Sequence, residues 1–182
     1  MSMRLALLRF HLPALVRRAI LRELISAIAR AFERPCPPTS GLSSEELLAC
    51  AIDASHRWSE DALAGAADRS EVEERLFSEA FALGRRAKRR LRIGTEEEGL
   101  SAAGVIYEAI GVELRAGGAG AIVIPRCAFA RVYGPAACEL MSAMDSGLIA
   151  GLTGAAGLRF TERLTEGASA CRAIVLHTGG VP

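Results

Sequence analysis

Three thiols and two carboxylates in the last third of this 182-residue chain are the groups best placed to do chemistry: Cys127, Cys138, Cys171, Asp145 and Glu162. A thiol becomes a nucleophile when it loses its proton. A carboxyl group driven into apolar surroundings has its pKa raised towards the range of a general acid or base. After Pro135, Cys138, Met141, Asp145, Leu148/Ile149 and Leu152 recur at helical spacing, which sets Asp145 on the apolar stripe. Along Leu158 to Leu164, strict alternation sets Glu162 with Phe160 and Leu164 on the inward side; a bulge would turn it outward. The pattern predicts a thiol-lined site between a late helix and a sheet, with acids held inside it.

The same residues admit plainer readings. Small buried thiols are common core residues, and Cys36 in a Pro-rich loop and Cys50 on a helix are read as incidental. Cys171, Ala173, Val175 and His177 share one strand face. Six residues of strand nevertheless span about 20 Å, too far for a Cys–His dyad. Zinc sites usually show paired ligands such as Cys-x-x-Cys, whereas these cysteines stand eleven and thirty-three residues apart. No metal or cofactor is therefore assigned, and zinc stays open only as a site assembled in three dimensions. A thiolate here would need a cation beside it, for which Arg126 and Arg163 are the candidates.

Those groups must be positioned by a fold that the sequence outlines. From Pro13 to Phe32, apolar residues recur at helical spacing between arginines. This is an amphipathic helix that docks on the core or on a second subunit, with a membrane-surface helix as the alternative. Glu33 to Ser44 is a Pro-rich loop. A helix follows from Ser43 or Ser44 towards His56. The next, from about Ser70 to Arg92, runs from acidic to basic as its dipole favours, with Gly94 expected to stop it. Thr95 and Glu98 form a capping box for a helix that ends at Gly111. The period then changes. Val112–Arg115 and Ala121–Cys127 read as strands around a Gly-rich turn, Gly134-Pro135 opens a helix to about Leu152, and Leu158–Thr165 and Cys171–His177 close as strands. The expected class is α+β, with N-terminal helices followed by a small antiparallel sheet packed with a helix. Residues 1–42 form the helix and Pro-rich loop, and 43–182 a single α+β domain.

Composition narrows the function classes. Twenty-two basic and 21 acidic residues leave a net charge of +1, and aromatics are 5% of the chain, so neither a global field nor stacking platforms point to nucleic acid. The basic run from Arg85 to Arg92 reads as a solvated helix end. No apolar run is long enough to span a membrane. Five cysteines without tight spacing argue against a disulfide scaffold and for reduced thiols in a cytoplasm.

The tract from Gly94 to Val175 resembles the family named for L-2-amino-thiazoline-4-carboxylic acid hydrolase. The resemblance rests on Cys127-Ala-Phe-Ala130, Asp145, Phe160-Thr-Glu-Arg163, Gly167-Ala-Ser-Ala-Cys171 and the preceding Tyr107-Glu-Ala-Ile-Gly111. In that family a middle cysteine stands close before the aspartate, where this chain has Met141, Ser142 and Ala143, and Cys138 lies one or two turns earlier. The resemblance implies a hydrolase acting on a C–N or C–S bond of a small cyclic amidine or thiazoline. Cys127 or Cys138 would be nucleophile and Asp145 general acid/base, with Glu162, Arg163 and Cys171 lining the substrate. The family is also similar to ligand-binding domains of the 4-vinyl-reductase type, which implies a non-catalytic small-molecule sensor, sometimes zinc-containing, as the alternative.

Overall fold

The computed structural model describes residues 12–65 and 68–177. Its elements are α1 (Ala14–Ala31), α2 (Ser44–Ala64), α3 (Arg69–Leu91), α4 (Glu96–Ala109), β1 (Val112–Ala116), β2 (Ala121–Cys127), α5 (Pro135–Thr153), β3 (Gly157–Glu162) and β4 (Cys171–Leu176). The strands form one antiparallel sheet in the order β1-β2-β4-β3. The fold is α+β, helices first and sheet second, as expected. Among the described residues no helix is long and apolar enough to cross a membrane.

Local chemistry explains most boundaries. Ser43 caps α2, and Thr95 caps α4, each in a reciprocal box with a glutamate three residues on. Gly134 precedes α5 and Pro135 opens it, where its missing N–H costs nothing. Gly111 after α4 and Gly154 after α5 take left-handed backbone, which glycine adopts without strain. One boundary departs from the sequence reading. The helix before Gly94 is stopped by Arg92, which itself sits left-handed at φ 55°. Gly94 lies beyond the cap, its N–H donating to Glu98 at 2.9 Å.

α1 docks on its own chain. Leu21 and Ile25 join the larger core with Leu47, Tyr107, Ile149 and Leu152, while Ile28 and Phe32 join a second core with Leu76, Leu140 and Met144. Leu15 and Val16 stay exposed, and a contact with a second subunit through α1 would rest on them. Arg4 and Arg9, which flank the apolar start of the chain, lie outside the described residues. Half of the basic end of α3 is engaged within the chain: Arg86 and Arg90 pair with Glu23, and Lys88 Nζ donates to the Thr153 carbonyl at the end of α5, whereas Arg85, Arg89 and Arg92 are exposed.

The closest helix contact, α3 against α5, fixes where the site lies. Gly84, Gly147 and Gly151 form the crossing, and a Cβ at Gly147 would collide with the Phe77 carbonyl oxygen, one at Gly151 with that of Phe81. Backbones can therefore meet with no side chain between them. This clamps the outer face of α5 on α3 and commits its opposite face, with Asp145, to the space facing α4 and the sheet.

Candidate functional site

That space is a partly open hollow of about 90 Å³ between α1, α4, α5 and the inner face of the sheet. α5 supplies Cys138, Met141 and Asp145, β2 ends in it with Cys127, and β4 begins in it with Cys171. The register pairs Ile124 of β2 with Cys171 of β4, so both strand ends bring a residue to the same wall. All three thiols singled out in the sequence meet here with Asp145.

Asp145 is the polar centre. Tyr107, buried on α4, donates its hydroxyl to Asp145 Oδ1 at 2.6 Å. Among the described residues no other hydrogen bond reaches the carboxyl, so Oδ2 is unshared. Asp145 is half-buried because part of it faces the hollow, yet protein surrounds it closely. Burial raises its pKa to about 6, and the Tyr107 hydrogen bond and the charge of Arg163 pull it only partly back. Tyr107 is itself held far above the usual phenol range by burial and by the carboxylate beside it.

The thiols differ from what a resting nucleophile requires. Burial pushes Cys127 up to about 11, although the nearby backbone N–H groups of Ala130 and Phe129 oppose the shift. Burial also raises Cys138 and Cys171. The buried Thr165 hydroxyl approaches Cys138 without completing a hydrogen bond of good geometry, and the Leu164 N–H donates to Cys171 Sγ at 3.3 Å. All three are protonated thiols near neutral pH.

The two candidate cations part company. Arg126 points outward and pairs with Glu113 at 2.7 Å, its side chain 82% exposed. Arg163 turns in: its side chain is 14% exposed, it donates to Ser142 Oγ at 2.7 Å, and it lies over the Phe160 ring at 4.5 Å. It is the positive charge that acts on Asp145, Cys138 and Cys171.

Glu162 corrects the alternation argument. The β3–β4 register shifts between Phe160 and Glu162, so the strand bulges there and the side chain faces solvent, half-exposed, against Arg172 at 3.2 Å. It is outside the hollow and orients nothing in it. His177, at the end of β4, lies 3.6 Å from Glu96. Among the described residues, no three of His, Cys, Asp and Glu stand close enough to share a metal ion.

Two residues escaped sequence reasoning. Tyr107 read only as a core position, and its hydroxyl is the donor that orders Asp145. Tyr133, beyond β2, lines the hollow and donates to Ser55 Oγ at 2.5 Å. For Tyr107 the signal was a tyrosine at a core position, since a buried phenol demands a partner; Tyr133 lies in an irregular segment, where no periodicity marks it. A larger depression of about 860 Å³ runs along α4, β1 and the segment after β2, sharing Cys127 and Ala130 with the hollow. It is open to solvent, and Asp145 does not line it. No family model matches this chain, and no curated protein does.

Proposed function

We propose that this protein is a small-molecule-binding domain whose hollow takes a compact, largely apolar ligand and anchors it by a hydrogen-bond donor on Asp145. The observation that carries this reading is a carboxyl group, ordered by the Tyr107 hydroxyl, inside an apolar, thiol-lined space of about 90 Å³. Ligand sites are typically apolar walls with a few placed polar groups, and burial there makes an unshared acceptor costly to leave unmade. A planar nitrogen ring, such as a cyclic amidine or thiazoline, matches the hollow in size and in its N–H donors. Burial raises the pKa of every thiol around it, which favours binding over thiol attack.

One observation favours a catalytic reading as well. A carboxyl group of pKa about 6 exchanges its proton near neutrality, which is what a general acid or base needs. Hydrolysis in the same ring class is the second proposal: the thiol of Cys127 or Cys138 adds to the amidine carbon, its proton passes by way of Asp145 to the ring nitrogen or sulfur whose bond to that carbon breaks, and water then attacks the thiol-bound carbon, releasing the product and restoring the thiol.

Titration calorimetry with 2-aminothiazoline as the probe separates the two. Asp145→Asn is expected to weaken binding roughly 10- to 100-fold, the worth of a hydrogen bond to a charged group. Cys127→Ala with Cys138→Ala leaves affinity within a few-fold under the binding reading. Turnover of the probe that disappears in that double variant establishes the catalytic one. Binding insensitive to Asp145→Asn overturns both.

A further inference from the structure

A second apolar space adjoins the hollow, and the two share walls. It is a groove of about 250 Å³ between α1, the end of α3, and α4, lined by Val16, Ala19, Leu83, Ala87, Val105 and Ile106 among others. Leu24 of α1 and Ile110 after α4 border both it and the hollow. Glu23 and Arg90 also line it, paired with each other at 2.9 Å, so a polar clasp interrupts an otherwise apolar slot. The residues that line both spaces, Leu24 and Ile110, are apolar. Leu24 is only half-buried, and a leucine with space on both sides changes rotamer at low cost.

Resting on the reading of Asp145 as anchor, we infer that hollow and groove form one bent pocket for a straight-chain amphiphile with a hydrogen-bond-donating head. The head sits at Asp145 Oδ2 beside Tyr107. The chain passes Leu24 and Ile110 and lies in the groove between α1 and α4. The chemistry of the walls dictates this division. The hollow alone holds a small ring or a head group, whereas hollow and groove together reach the few hundred Å³ usual for ligand sites. An alkyl chain is the occupant the groove fits, because its lining side chains offer a chain no hydrogen-bond partner short of the Glu23–Arg90 pair. A fatty acid is disfavoured, since its carboxylate would face Asp145.

The experiment is calorimetric titration of the full chain with ethylamine, hexylamine and decylamine at about pH 7.5, where Asp145 is ionised and the amines are cations. Each methylene buried in the groove is expected to tighten binding by roughly fourfold until the groove is full. Decanoate is expected to bind far more weakly than decylamine. Ala19→Trp, at an exposed position on the groove wall, fills the slot from outside the hollow. It is expected to erase the length dependence, so that decylamine binds no tighter than ethylamine. Ethylamine alone reports on the anchor. Equal affinities for ethylamine and decylamine overturn the bent pocket while leaving Asp145 as the anchor. A length dependence that survives Ala19→Trp also overturns it, because the chain would then lie elsewhere. Ethylamine binding that ignores Asp145→Asn removes the anchor itself.

Discussion

Asp145 and Glu162 are both carboxylates that periodicity sets on an apolar face, one on α5 and one on β3, and the structure treats them oppositely. Asp145 stays inside, ordered by Tyr107 and with its pKa lifted to about 6. Glu162 is swung out by a bulge and pairs with Arg172 in solvent. A helix clamped on both sides cannot rotate one residue out, and α5 is held against α3 by glycines that leave no slack. A strand near its end can add a residue, turn a side chain over and end a few residues later at small cost. The burial of a polar group is therefore decided by whether its element can yield.

If the clamp is what keeps Asp145 inside, breaking it has the largest effect. Gly147→Val forces a side chain into the Phe77 carbonyl and is expected to cost about 3 kcal/mol or more, read by urea denaturation. The same change at an open glycine such as Gly134, where an added Cβ meets nothing within 4 Å, lacks that collision and is expected to cost clearly less.

The next effect is on pH dependence. The folded-state pKa of Asp145 lies above its unfolded value, so between about pH 4 and 6 the folded chain holds a proton that the unfolded chain has lost. Its contribution to stability is present below pH 4 and is lost as pH rises through about 6, by at most about 3 kcal/mol. Denaturation at a series of pH values, for the native chain against Asp145→Asn, is expected to show that slope only in the native chain.

Tyr107→Phe comes third. It removes the donor and leaves a buried acceptor, at a cost of about 1–3 kcal/mol in stability. Smallest is Glu162→Gln, which breaks an exposed ion pair and is expected to stay within about 0.5 kcal/mol. A large effect there would erase the contrast between the two carboxylates. Thiol labelling sharpens it from another side: with iodoacetamide near neutral pH, exposed Cys36 reacts readily, whereas Cys127, Cys138 and Cys171 are expected to react slowly and speed up as pH rises.

Much of the fold was legible because its signals are local. Capping pairs at Ser43/Glu46 and Thr95/Glu98, Pro135 after Gly134, and the change of period at Val112 place the elements within a few residues. The three thiols and Asp145 were legible for the same reason: helical and strand periods assign a face, and faces meet in a core. The bulge at Glu162 was not, since it is settled by pairing with β4 rather than by the strand's own residues. Nor was the partnership of Tyr107 with Asp145, because periodicity says which side a residue faces and not which atom it meets. The same holds for the walls that α1 lends to the hollow through Leu24 and Ile28. The stop at Arg92 hid behind the nearby Gly94.

A carboxyl-carbon NMR titration of Asp145, in the native chain and in Tyr107→Phe, probes the site at the atom on which everything else depends. An enclosed carboxyl ordered by Tyr107 gives a midpoint near 6 that moves higher when the hydroxyl is removed. A midpoint near the ordinary aspartate value of about 3.9, unmoved by Tyr107→Phe, would mean that this carboxylate stands in water and that the hollow has no anchor.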